Sequence, residues 1–111
     1  MVKRIEPVRT DYVTLHFPLL HIDTTERQQY DKVVEEYNEF RKELFTEASP
    51  ERILHELQDV LQAYITLLCV KARQFSIDER ETVEKVAQLV DEANCSHRKK
   101  IARYRAERGW P

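Results

Sequence analysis

The sequence predicts an all-α protein, an antiparallel helical bundle of about three long helices with an extended N-terminal strap, completed by oligomerisation. Three observations lead there. The chain has one Gly in 111 residues, with 34% charged and 41% hydrophobic side chains, a composition of helix-rich folded proteins and not of disordered ones. Apolar residues recur at three- and four-residue steps from residue 30 to residue 104, the period of one helical face. Helix-start signals stand at three well-separated places.

The first 22 residues differ from the rest. Val13, Leu15 and Phe17 alternate with Thr14 and His16 ahead of Pro18, which reads as an extended strap or edge strand covering a helical core. Residues 23–111 form the helical domain. A chain of this length builds one small core, and association would add stability.

The first helix opens after Asp23-Thr24-Thr25, where either Asp23 with Glu26 or Thr25 with Gln28 can form a capping box. Tyr30, Val33, Val34, Tyr37, Phe40 and Leu44 then define one expected buried stripe, with Glu36, Glu39 and Glu43 along its flank. The second helix has Ser49 as N-cap, Pro50 at the first helical position and Glu51 at the positive helix end. Ile53, Leu54, Leu57, Val60, Leu61, Tyr64, Ile65, Leu67 and Leu68 cover an arc wide enough for two neighbours, and Glu56 and Asp59 lie at its edge. The connection between these helices is short, so they are expected to pack antiparallel. The third helix is expected from a capping box at Ser76-Ile77-Asp78-Glu79 to a stop at Gly109. Its stripe of Val83, Val86, Ala87, Val90, Ala93, Ile101 and Tyr104 includes Asn94 and His97. Polar groups on a buried face need partners.

Two acidic pairs carry the chemistry. Glu36-Tyr37-Asn38-Glu39 and Glu56-Leu57-Gln58-Asp59 each place two carboxylates about one turn apart on a helix side. On antiparallel neighbours the four are expected to converge. Clustered anions repel unless a cation sits among them, and Mg²⁺ prefers oxygen ligands of this kind.

Charge is unevenly spread. From residue 97 onward six Lys and Arg face the single Glu107, a balance of +5, so the rest of the chain sums to −7. This points to an anionic ligand or partner near the C-terminal segment. The best apolar stretch, Val60 to Val70, is broken by Gln62 and Thr66, which excludes a membrane span. Met1-Val2-Lys3-Arg4 leads into Glu6-Pro7 and not an apolar segment, so no signal peptide is expected. Cys69 and Cys95 lack metal-site spacing and are expected as free thiols in a reducing compartment, the cytoplasm.

The order of motifs resembles the MazG-like, all-α nucleoside triphosphate pyrophosphohydrolases. The resemblance spans residues 25–108 and rests on Val33-Val34-Glu35-Glu36-Tyr37-Asn38-Glu39-Phe40 and Leu54-His55-Glu56-Leu57-Gln58-Asp59-Val60. It implies Mg²⁺-dependent cleavage between the α and β phosphates, giving a nucleoside monophosphate and pyrophosphate, with Mn²⁺ as a substitute metal. It also implies Glu36, Glu39, Glu56 and Asp59 as metal ligands and a homodimer or homotetramer. Asn94, His97, Lys99, Lys100 and Arg103 would then contact substrate, with Tyr37 and Tyr64 as further lining candidates, and one of the four ligands, or Glu35 or Glu43, would accept the proton of the attacking water. A di-iron carboxylate protein would need Glu-x-x-His pairs, and none occurs. Overall acidity and the absence of a groove-reading motif argue against a nucleic-acid binder. The alternative is a non-catalytic helical nucleotide-binding or adaptor protein of the same fold.

Overall fold

The computed structural model describes residues 12–110. They form three helices, α1 Glu26–Leu44, α2 Pro50–Arg73 and α3 Glu79–Arg108, and no strand. The all-α expectation holds at this level. Residues 12–25 form no regular element, so the edge-strand form of the strap is absent among the described residues. Residues 1–11 of the expected strap lie outside them.

Capping explains where each helix begins. Of the two boxes possible for α1, the chain uses Thr25 with Gln28: the Thr25 Oγ1 accepts from the Gln28 backbone N–H at 3.1 Å, and the Gln28 Oε1 accepts from the Thr25 N–H at 3.2 Å. Ser49 caps α2 as expected, its hydroxyl accepting from the Arg52 N–H at 3.3 Å ahead of Pro50, an interaction worth about 1 kcal/mol. At α3 the cap is Asp78 and not Ser76. Asp78 Oδ1 accepts from the Glu81 N–H at 2.9 Å, while the Ser76 hydroxyl donates back to the Ala72 carbonyl and finishes α2. At the far end Gly109 has φ +66° and the Trp110 N–H donates to the Arg105 carbonyl at 3.0 Å, the six-to-one bond of a Schellman stop.

The chain divides into two compact units, Phe17–Val86 and a unit containing the residues from Ala87 onward. In the first, α1 packs on α2. Partners run in opposite order: Glu43 meets Arg52 at 2.9 Å, the Gln29 amide donates to the Ala63 carbonyl at 3.0 Å, and Glu26 meets Lys71 at 3.1 Å. The helices are therefore antiparallel. Val33, Val60, Ala63, Cys69, Val70, Ala72 and Val86 are buried, with Gln29, Thr66 and Thr82 among them. Ahead of α1, the Pro18 carbonyl accepts from Gln62 and the Leu20 carbonyl from Arg73, which ties this segment to α2.

Two expected stripes are corrected. Tyr30, Val34, Tyr37 and Leu44 are exposed, and the inward line of α1 runs Gln29, Val33, Glu36, Phe40, Glu43. The apolar arc of α1 is broader than one neighbour covers, so α2 takes only its edge. On α2, Leu54 and Tyr64 are exposed while Ala63, Thr66, Cys69 and Ala72 are buried, because small residues permit the close approach that the Gln29 bond requires. No helix is long and apolar enough to cross a membrane among the described residues.

In the second unit every residue of 91–100 is exposed. Asn94 and His97, expected on a buried face, are open in the single chain. Tyr104 gathers cations: Lys100, Arg103 and Arg108 lie 5.6, 5.4 and 4.3 Å from its ring centre, and Trp110 meets it edge-on at 6.3 Å.

Candidate metal centre

The rotation of α1 that leaves its tyrosines exposed turns Glu36 inward. Its side chain is 13% exposed, on the same line as Gln29 and Val33. Opposite, Glu56 and Asp59 sit one turn apart on α2 and project from one side. One carboxylate oxygen each of Glu36, Glu56 and Asp59 lie within 4.8 Å of one another. Sequence spacing alone predicted the two pairs; the antiparallel register brings three of the four acids together.

Glu39 is outside this trio and exposed. The negative charge of Glu36 beside it raises its carboxyl above the ordinary range, with burial and the charge of Glu56 contributing less. A group so placed holds its proton more tightly because a second anion nearby is unfavourable.

Lys32 is the cation on the rim. Its ammonium lies 3.0 Å from Glu36 and 3.5 Å from Glu35, and the bond to Glu36 raises its pKa. One lysine against three carboxylates leaves excess negative charge. Glu56 Oε2 is buried and has no hydrogen-bond partner, and an orphaned acceptor of this kind costs about 1–3 kcal/mol. A hard divalent cation fits both features, since it takes carboxylate oxygens and supplies the missing positive charge. Glu36, Glu56 and Asp59 would hold it.

Beside the trio a cleft of about 290 Å³ is lined by Lys32, Gln29, Gln62 and Thr66 together with Glu36 and Asp59. A larger hollow of about 660 Å³ lies by Arg73 and Gln74. There the Arg73 guanidinium is already committed, to both oxygens of Glu79 at 2.8 and 2.9 Å, so the larger space does not coincide with the unbalanced charge.

Other expected residues have other company. Glu43 is held by Arg52. Tyr37 and Tyr64 are 47% and 52% exposed. Lys99 is exposed, Lys100 lies over Tyr104, and Arg103 reaches Glu107 at 3.8 Å as well as the Tyr104 ring. The cleft residues missed by sequence reading had a signal: Lys32 is four residues before Glu36, Gln29 seven before it, and Thr66 seven after Asp59, so each shares a face with the acid of its own helix. Both cysteines are free thiols, Cys69 buried and Cys95 exposed. Comparison with protein-family models, curated proteins and solved structures gave no match to this chain.

Proposed function

We propose that the chain is a Mg²⁺-dependent nucleoside triphosphate pyrophosphohydrolase of the MazG-like type, cleaving the α–β phosphate bond. The observation that carries this reading is the convergence of Glu36, Glu56 and Asp59, with one Glu56 oxygen buried and without a hydrogen-bond partner. The substrate class comes from the resemblance of the two acidic motifs to that family. Mn²⁺ would substitute in an all-oxygen site.

A divalent cation held there would supply neutralisation of charge on the triphosphate and activation of water for attack. The chain's own residues do the rest. Glu36, Glu56 and Asp59 would hold the cation, and Glu39 would complete the carboxylate set from the rim. Lys32 limits the anionic charge on the α1 side. Gln29, Gln62 and Thr66 give the adjoining cleft hydrogen-bonding side chains. The resemblance gives Lys99, Lys100 and Arg103, with Asn94 and His97, as candidates for contact with the phosphates and nucleoside, since charge on departing pyrophosphate needs stabilisation. The enzyme works in the cytoplasm as a homodimer or homotetramer.

The test is incubation with a panel of nucleoside triphosphates and Mg²⁺, with chromatographic separation of products. Equal release of monophosphate and pyrophosphate is expected, and Asp59→Asn should abolish it with helix content unchanged. Orthophosphate as the sole phosphate product would overturn the reading. Nucleotide binding with no turnover would replace it by the non-catalytic alternative.

A further inference from the structure

Residues 87–104 of α3 carry a seven-residue repeat. Ala87, Asn94 and Ile101 recur at one position, and Val90, His97 and Tyr104 recur three residues later. None of the six is buried. Within this stretch the described residues supply local support such as the Gln88 amide bonded to Glu92 at 3.1 Å and the Arg103–Glu107 pair. A solvated helix of this length is marginal on such pairs alone, and a stripe repeating every seven residues is the pattern by which helices pack against each other.

The flanks identify the partner. Immediately beside the stripe, at equivalent positions one repeat apart, stand Asp91 and Arg98. Neither has an ion-pair partner among the described residues. The acid precedes the base along the helix, so a helix of the same sequence running the opposite way presents its base to the acid.

We infer that residues 87–104 of α3 pair antiparallel with the same segment of a second copy, about a two-fold axis between Cys95 and Ser96. In this register Val90 layers on the partner's Ile101, Ala87 on the partner's Tyr104, and Asn94 on the partner's His97, each layer occurring twice. Asp91 meets the partner's Arg98 twice along one edge, once on either side of the axis. The two polar residues in the stripe thereby face each other at the centre, where a hydrogen-bonded polar layer fixes register. A parallel pair has no such match: it sets Asp91 beside the partner's Val86, Arg98 beside the partner's Ala93 and Lys100 beside the partner's Arg105. Cys95 points away from the stripe. The inference deepens the self-association part of the proposed function and does not depend on hydrolysis.

Sedimentation equilibrium of the full chain, free of nucleotide and metal, tests it. Wild type should have a mass near twice the 13.3 kDa of one chain. Asp91→Arg and Arg98→Asp should each raise the dimer dissociation constant roughly tenfold, since each turns two attractions into repulsions. The double variant Asp91→Arg/Arg98→Asp should restore it, which separates lost pairing from lost folding. In a Cys95→Ser background, Val90→Cys chains mixed with Ile101→Cys chains should oxidise to a disulfide-linked dimer while neither does so alone. A monomeric wild type, a dimer indifferent to both charge reversals, failure of the double variant to recover, or self-crosslinking of Val90→Cys would overturn the inference. None of these readouts involves turnover, so an inactive dimer would refute the hydrolase and leave the pairing standing.

Discussion

Replacing Glu56 by Gln should stabilise the metal-free protein and remove its response to Mg²⁺. The side chain keeps its shape, loses its charge, and gains an amide that can donate to the neighbouring carboxylates. Glu36, Glu56 and Asp59 have oxygens within 4.8 Å. At that separation two unit charges repel by about 0.9 kcal/mol in water and about 3.5 kcal/mol at the effective dielectric of a part-buried site. Lys32 already offsets part of the charge on Glu36, so the relief is about 1–3 kcal/mol, a rise of several degrees in Tm for a domain of this size. With Mg²⁺ at a hundred times its dissociation constant, wild type should gain about 2.7 kcal/mol, and Glu56→Gln far less. Urea unfolding in chelator and across a Mg²⁺ series measures both effects. The reasoning fails if Glu56→Gln is less stable than wild type in chelator, or if Mg²⁺ shifts the two proteins equally.

Two further predictions concern single interactions. Arg73, and secondarily His21, hold the Glu79 carboxyl at a pKa of about 2, below its ordinary 4.5; a depressed pKa gives stability that is full above the unfolded value and lost as pH falls from about 4.5 towards 2. Acid unfolding of Glu79→Gln should therefore be shallower than wild type through that window, and identical slopes would count against the pairing. Gly109→Ala should cost about 1 kcal/mol and fray the end of α3, because φ +66° is strained for a residue with a Cβ although nothing lies within 4 Å of it. Amide exchange of the last turn of α3 reports this, and unchanged protection of the Trp110 amide would refute it.

Local signals were the most legible part of the sequence. Ser49-Pro50, Thr25 with Gln28 and Gly109 each specify an end through a bond made within a few residues, and all three appear as such. Ser76 misled because two caps compete there: its hydroxyl finds the Ala72 carbonyl one turn back, leaving Asp78 to start α3. Which part of an apolar arc is covered was not legible. Tyr30, Val34 and Tyr37 satisfy helical periodicity as well as Val33 does, and only the approach of α2 decides that Val33 is 2% exposed and Tyr37 47%. The approach is set by small residues, Ala63 and Thr66, which carry little weight in any hydrophobic pattern.

The same geometry separates the two acids that spacing made equivalent. Glu36 and Glu39 are about 60° apart around a helix, near enough to share a side in sequence and far enough for the packing angle to divide them. Once Gln29 bonds the Ala63 carbonyl, the inward line passes through Glu36 and leaves Glu39 at the rim. Glu36 then acquires Lys32 at 3.0 Å, whereas Glu39 feels mainly the anion beside it and shifts towards the protonated form. Glu36→Gln should accordingly remove that neighbouring charge and return the Glu39 carboxyl towards its ordinary range, while Lys32 loses its strongest partner.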